Sequence, residues 1–197
     1  MSIFGIFGGK KSKDHKKQQM IVLKGIGLGA LIFVAALFVL KTYFPEGCAV
    51  CTTGAKACCG SLMKRISWGL QWNVLPLMSV FGSMLIVSLS RMFSDAINPL
   101  KGKESEKLII NKNILQNSLE QFVLFFASSM AFVTLCPKPC LKAIPIMAII
   151  FLLGRVLFRI GYHKDPLQRG AGFAVTVFSY IGFLFFDLYK VLDKFVF

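Results

Sequence analysis

The sequence predicts an all-α integral membrane protein, and three observations predict it. Of its 197 residues 55% are hydrophobic and only 16% are charged. The mean hydropathy is +0.67. The apolar residues, 20 Phe among them, fall in long runs separated by short basic blocks. A soluble domain of this length needs a charged surface that these residues cannot supply. Crossing the hydrocarbon takes about 20 mostly apolar residues in a helix, because lipid offers the backbone amides no partner. Five segments meet that requirement, at 20–44, 67–90, 114–135, 142–162 and 170–190.

In chain order, residues 1–19 form a basic N-terminus, with Lys10, Lys11, Lys13, Lys16 and Lys17 ahead of the first apolar run. A signal peptide has the same layout, but the segment at 20–44 is expected to remain as a transmembrane helix. It carries Gly25-x-x-x-Gly29, a spacing of small residues that lets two helices approach closely. Residues 45–66 form a Cys-bearing loop. The last four segments span 67–190 and are joined by short connections, so they are expected to form one bundle. Gly154, Gly161, Gly170 and Gly172 are expected to set its helix contacts. Residues 191–197 remain as a short tail.

The formal charge of +14 suggests nucleic acid, yet the cations sit between apolar runs and are not interleaved with exposed aromatics. No nucleic-acid partner is expected on that ground. Membrane proteins retain Lys and Arg in cytoplasmic segments, where anionic lipid favours them. Membrane lipid is therefore the expected partner. Placing the N-terminus in the cytoplasm and alternating assigns most of the 23 Lys and Arg residues to that side. The same topology puts Cys48, Cys51, Cys58, Cys59, Cys136 and Cys140 on the lumenal side, where an even number of cysteines fits disulfides of unassigned pairing. The competing reading is a metal site at Cys48-x-x-Cys51; no metal is expected, because Cys58-Cys59 lacks the second knuckle's spacing. Trp68, Trp72 and Tyr43 fit an aromatic belt at the same face.

Ionisable groups inside membrane helices are costly, so each needs a partner or a role. Asn117 and Glu120 stand at i and i+3 near the cytoplasmic start of the third segment, on one helix face. Arg155 and Arg159 stand at i and i+4 on the fourth, followed by Tyr162, and Arg169 opens the fifth. Arg91 ends the second. Alternating helices bring all of them to one cytoplasmic depth. Two readings stand side by side. The layer holds a small charged ligand under an apolar wall, or Glu120 forms a structural ion pair with Arg155 or Arg159 while Arg91 and Arg169 reach lipid phosphates. His163 reads as a solvated loop residue.

The run Asn117-Ser118-Leu119-Glu120, followed by Gly154-Arg155 to Gly161-Tyr162 and then Arg169, resembles the MAPEG family, the membrane-associated proteins in eicosanoid and glutathione metabolism. The resemblance covers about residues 67–190. It implies a four-helix MAPEG-type bundle with one extra N-terminal transmembrane helix, a homotrimer, and glutathione as cofactor, held at the cytoplasmic side between neighbouring subunits. By that resemblance Asn117, Glu120, Tyr162 and Arg91 bind the glutathione and Arg169 is the catalytic residue that lowers the thiol pKa. Three positions depart from the family pattern. Asn113, with Lys112 as the nearest cation, stands in place of an arginine; Gln121 replaces an aromatic; and Phe158 replaces a second tyrosine.

Two functions follow as expectations. The first is a microsomal glutathione transferase-like enzyme, a transferase or peroxidase acting on a lipophilic small molecule from the bilayer. The second is a non-catalytic membrane scaffold, a lipid-binding or trafficking protein, or a structural subunit that engages a partner membrane protein. The endoplasmic reticulum or another endomembrane is the expected location. A channel or transporter is not expected, for the sequence has no internal repeat and no midplane charge chain.

Overall fold

The computed structural model describes residues 13–43, 61–94, 104–136 and 138–196. They form five helices, α1 (Lys13–Tyr43), α2 (Leu62–Met92), α3 (Glu106–Leu135), α4 (Ala143–Lys164) and α5 (Gly170–Val196). All five are long and apolar enough to cross a membrane. The described residues contain no strand. Lys10, Lys11 and the cysteines at 48, 51, 58 and 59 lie outside the described residues, as does the side chain of Tyr43.

The helices outrun the apolar segments that announce them. Backbone hydrogen bonding is indifferent to side-chain polarity, so a helix can run past its apolar stretch to a cap or another stop signal. Thus α3 begins at Glu106 and not near 114, because Ser105 caps it: the Ser105 hydroxyl accepts from the Leu108 amide at 3.3 Å. It stops at Leu135 because Cys136 precedes Pro137. The residue before a proline is pushed out of the helical region, and Cys136 is extended at φ −75 and ψ 152. A 3-10 turn over Lys138–Lys142 leads into α4. Likewise α2 starts at Leu62, inside the expected loop at 45–66, and α5 runs to Val196, through the expected tail.

The helices α2, α3, α5 and α4 stand in that cyclic order around a common core, with α1 outside against α5 and the edge of α4. Phenylalanines packed at tilted angles fill the core. Phe125 meets Phe151 at 4.9 Å between ring centroids, and Phe132 meets Phe183 at 4.5 Å. Small residues set the closest approaches. A Cβ on Gly29 would lie 2.5 Å from the Ala171 carbonyl oxygen, and one on Gly25 would meet Gly170 and Ala171. The expected Gly25-x-x-x-Gly29 face is therefore the face of α1 that docks on α5.

Polar groups stitch the bundle inside its apolar length. The Asn73 amide of α2 donates to Ser129 of α3 at 3.1 Å. The Tyr180 hydroxyl of α5 donates to Gln121 of α3 at 2.9 Å. At the end of the bundle marked by Cys136, the Arg65 guanidinium donates to the Cys136 carbonyl and stands 3.5 Å from its sulfur. Among the described residues, Cys136 and Cys140 are free thiols. Burial pushes the Cys136 thiol above its ordinary pKa, and the Arg65 charge opposes that rise.

Candidate functional site

The face that α3 turns inward carries Asn111, Ile114, Ser118, Gln121 and Phe125, all buried. Arg155 of α4 crosses the bundle to reach this face. It is 4% exposed, donating from Nη1 to Asn117 Oδ1 at 3.0 Å and from Nη2 to Ser118 Oγ at 2.8 Å. Its guanidinium carbon sits 4.2 Å from the Phe158 ring centroid. One turn further, Arg159 Nη2 donates to Asn111 Oδ1 at 3.0 Å. Buried Arg155 and half-buried Arg159 are thus met by dipoles of amides and a hydroxyl.

This corrects the expected ion pair of Glu120 with Arg155 or Arg159. The Glu120 carboxylate accepts instead from the Gln116 amide at 2.9 Å on an exposed surface. The reason is rotational. At 3.6 residues per turn, Glu120 lies about 200° around α3 from Ser118, so a guanidinium that reaches Ser118 from inside the bundle has its back to Glu120. Asn117 stands at the edge between the two faces and is half-buried.

A cleft of roughly 300 Å³ opens beside Asn117, lined by Val22 and Ile26 of α1, Phe158 of α4, Pro166, Leu167 and Arg169 of the α4–α5 connection, and Gly170 and Phe173 of α5. Arg169 is exposed, with its guanidinium carbon 5.0 Å from the Tyr162 ring centroid. Tyr162 itself is buried beside Ile114 and Phe158. So the structure brings Asn117 and Arg169 into one cleft with Tyr162 beneath. It does not bring Arg91 or Glu120 there. The Arg91 guanidinium lies 3.6 Å from Glu104, whose carboxylate also takes Lys112 at 2.8 Å. Among the described residues no group of His, Cys, Asp and Glu has the makings of a metal site.

Sequence reasoning missed the walls that α1 supplies to this cleft and missed Ser118 and Asn111 as the partners of the arginines. A signal for the latter existed. Asn111, Ile114, Ser118 and Gln121 recur at helical spacing, which marks one face.

Five apolar helices, four of them around one core and a polar layer at one end, define an integral membrane helical bundle. The sequence profile of the MAPEG family matches residues 70–188, α2 to α5, more than half of the chain. The chain belongs to the MAPEG family. It is similar to Transmembrane protein 79 from Mus musculus, 22% identical over 129 residues that make up 66% of this chain and 33% of that protein. It is similar also to Transmembrane protein 79 from Bos taurus, 18% identical over 173 residues, 88% of this chain and 42% of that protein. The chain thus spans less than half the length of these curated relatives. No solved structure matches it significantly.

Proposed function

We propose that the chain is a membrane-embedded binding protein whose ligand is an anion held by Arg169 in the cleft between α1, α3, α4 and α5. The observation that carries this reading is that Arg169 and Asn117, from separate elements, line one cleft whose other walls are apolar. A lipid-binding or trafficking role, or a place as a subunit of a membrane assembly, needs no more than such a cleft. The test compares oleate with oleyl alcohol, by calorimetry on the protein in phosphatidylcholine nanodiscs. Oleate is expected to bind, and Arg169→Ala to weaken it about tenfold. Equal binding of acid and alcohol would remove Arg169 from this role.

A second reading is a glutathione-dependent enzyme that conjugates or reduces a lipophilic substrate. The Arg169 guanidinium over the Tyr162 ring supports it, since these two residues match glutathione contacts in the family resemblance. A thiol near pKa 8.5 ionises more readily beside such a cation. In this reading the protein is a homotrimer of an endomembrane such as the endoplasmic reticulum, with its N-terminus and the cleft on the cytoplasmic side. The exposed Gln116–Glu120 pair then faces a neighbouring copy, and Glu120 meets the ligand from there. Millimolar glutathione that produces no heat on titration sinks this reading and leaves the first intact. Labelling of Cys58 or Cys59 by a membrane-impermeant maleimide added from the cytoplasmic side overturns the topology.

A further inference from the structure

The Asn117 amide has a definite polarity, and Arg155 imposes it. A guanidinium only donates, so the atom that Asn117 turns toward Arg155 Nη1 is its carbonyl oxygen. Arg155 has no freedom to release it. The residue is buried, its second nitrogen is bound to Ser118, and its guanidinium carbon sits over the Phe158 ring. With Oδ1 held by Arg155, the group with which Asn117 can still donate to a ligand in the cleft is its NH2. The other polar residue of the lining, Arg169, is again a donor without an acceptor. The side chains of both polar residues of the lining therefore have hydrogens to offer, and the rest of the lining, Val22, Ile26, Leu167 and Phe173 among it, is apolar.

We propose that Arg155 is a positioning residue for this cleft, and that the cleft takes a ligand with a hydrogen-bond acceptor at each end of an apolar middle. A carboxylate or phosphate sits at Arg169, and a carbonyl or second carboxylate sits at Asn117. The inference rests on the cleft being the binding site and adds the polarity of its ligand. A ligand ending in an amine is rejected, because its N–H groups and those of Asn117 would be desolvated against one another with no acceptor between them.

Three probes of one chain length test this by calorimetry on the full chain in phosphatidylcholine nanodiscs: dodecanedioate, dodecanoate and ω-aminododecanoate. The wild-type protein is expected to bind the diacid about tenfold more tightly than the amino acid, which corresponds to about 1.4 kcal/mol. Asn117→Asp keeps its contact with Arg155, now as a carboxylate against a guanidinium, and turns an acceptor oxygen to the cleft. The order of the diacid and the amino acid is then expected to reverse. Arg155→Lys still only donates and keeps the wild-type order. No preference in the wild type, or an unchanged order in Asn117→Asp, overturns the proposal. Arg169→Ala separates it from the reading beneath: if that variant weakens none of the probes, the cleft is not the site; if it weakens all while Asn117→Asp leaves the order unchanged, only the polarity assignment fails.

Discussion

Asp187 is a buried carboxylate on α5, 7% exposed, and neither of its oxygens has a hydrogen-bond partner. Burying an unpaired carboxylate charge costs more free energy than burying its neutral amide isostere. Asp187→Asn is expected to raise the thermal unfolding midpoint in detergent, by a stability gain of about 1–3 kcal/mol; an unchanged or lowered midpoint would mean the carboxylate is supported. Cys136 gives a pH-dependent prediction. Its thiol titrates above the ordinary value because it is buried, and Arg65 moderates the shift. The thiolate fraction therefore rises only at alkaline pH, and Arg65→Gln is expected to move the alkylation profile of Cys136 with N-ethylmaleimide to still higher pH. At this scale the sequence made the polar residues legible, because a membrane helix carries few of them without reason. Their partners were less legible. Whether Arg155 meets Glu120 or Ser118 depends on the rotation of α3 about its axis, and two residues along a helix reverse the face.

At the scale of elements, glycines separate into those that hold two helices together and those that do not. A Cβ on Gly172 of α5 would fall on the backbone of Phe158 in α4, whereas one on Gly182 meets nothing within 4 Å. Gly172→Ala is expected to force α4 and α5 apart and to cost about 1–3 kcal/mol. Gly182→Ala is expected to be neutral or to stabilise by up to about 1 kcal/mol through helix propensity. Equal unfolding midpoints for the two variants would contradict the packing. The five helices and their order were legible from apolar run length alone. Their ends were not, since α3 starts at a serine cap and stops before a proline, features that hydropathy does not register. The four-helix grouping was legible from the short connections between the last segments. The cyclic order α2, α3, α5, α4 was not, because every one of those helices is apolar enough to be a neighbour of any other.

At the scale of the whole molecule, α1 is the element that closes the cleft. It packs against α5 through Gly25 and Gly29 and sends Val22 and Ile26 over the space beside Arg169. Gly29→Val places bulk against Ala171 and Ala174 and is expected to loosen α1 from α5. The four-helix bundle is expected to keep its helical circular dichroism, while binding of an anionic amphiphile such as oleate at Arg169 weakens several-fold. Unchanged binding would show that α1 is no wall of the site. The sequence by itself determined that this is a five-helix integral membrane protein, because apolar length and the scarcity of charge leave a lipid-embedded helix as the way to satisfy the backbone; its MAPEG type was read from the resemblance of its Asn117–Glu120, Gly154–Tyr162 and Arg169 pattern to that family. Only the tertiary structure decided which polar residues share a cleft. Asn117 and Arg169 meet there under a wall from α1, while Glu120 and Arg91 turn elsewhere, because helix rotation and the docking of α1 are set by close packing at small residues and not by hydropathy.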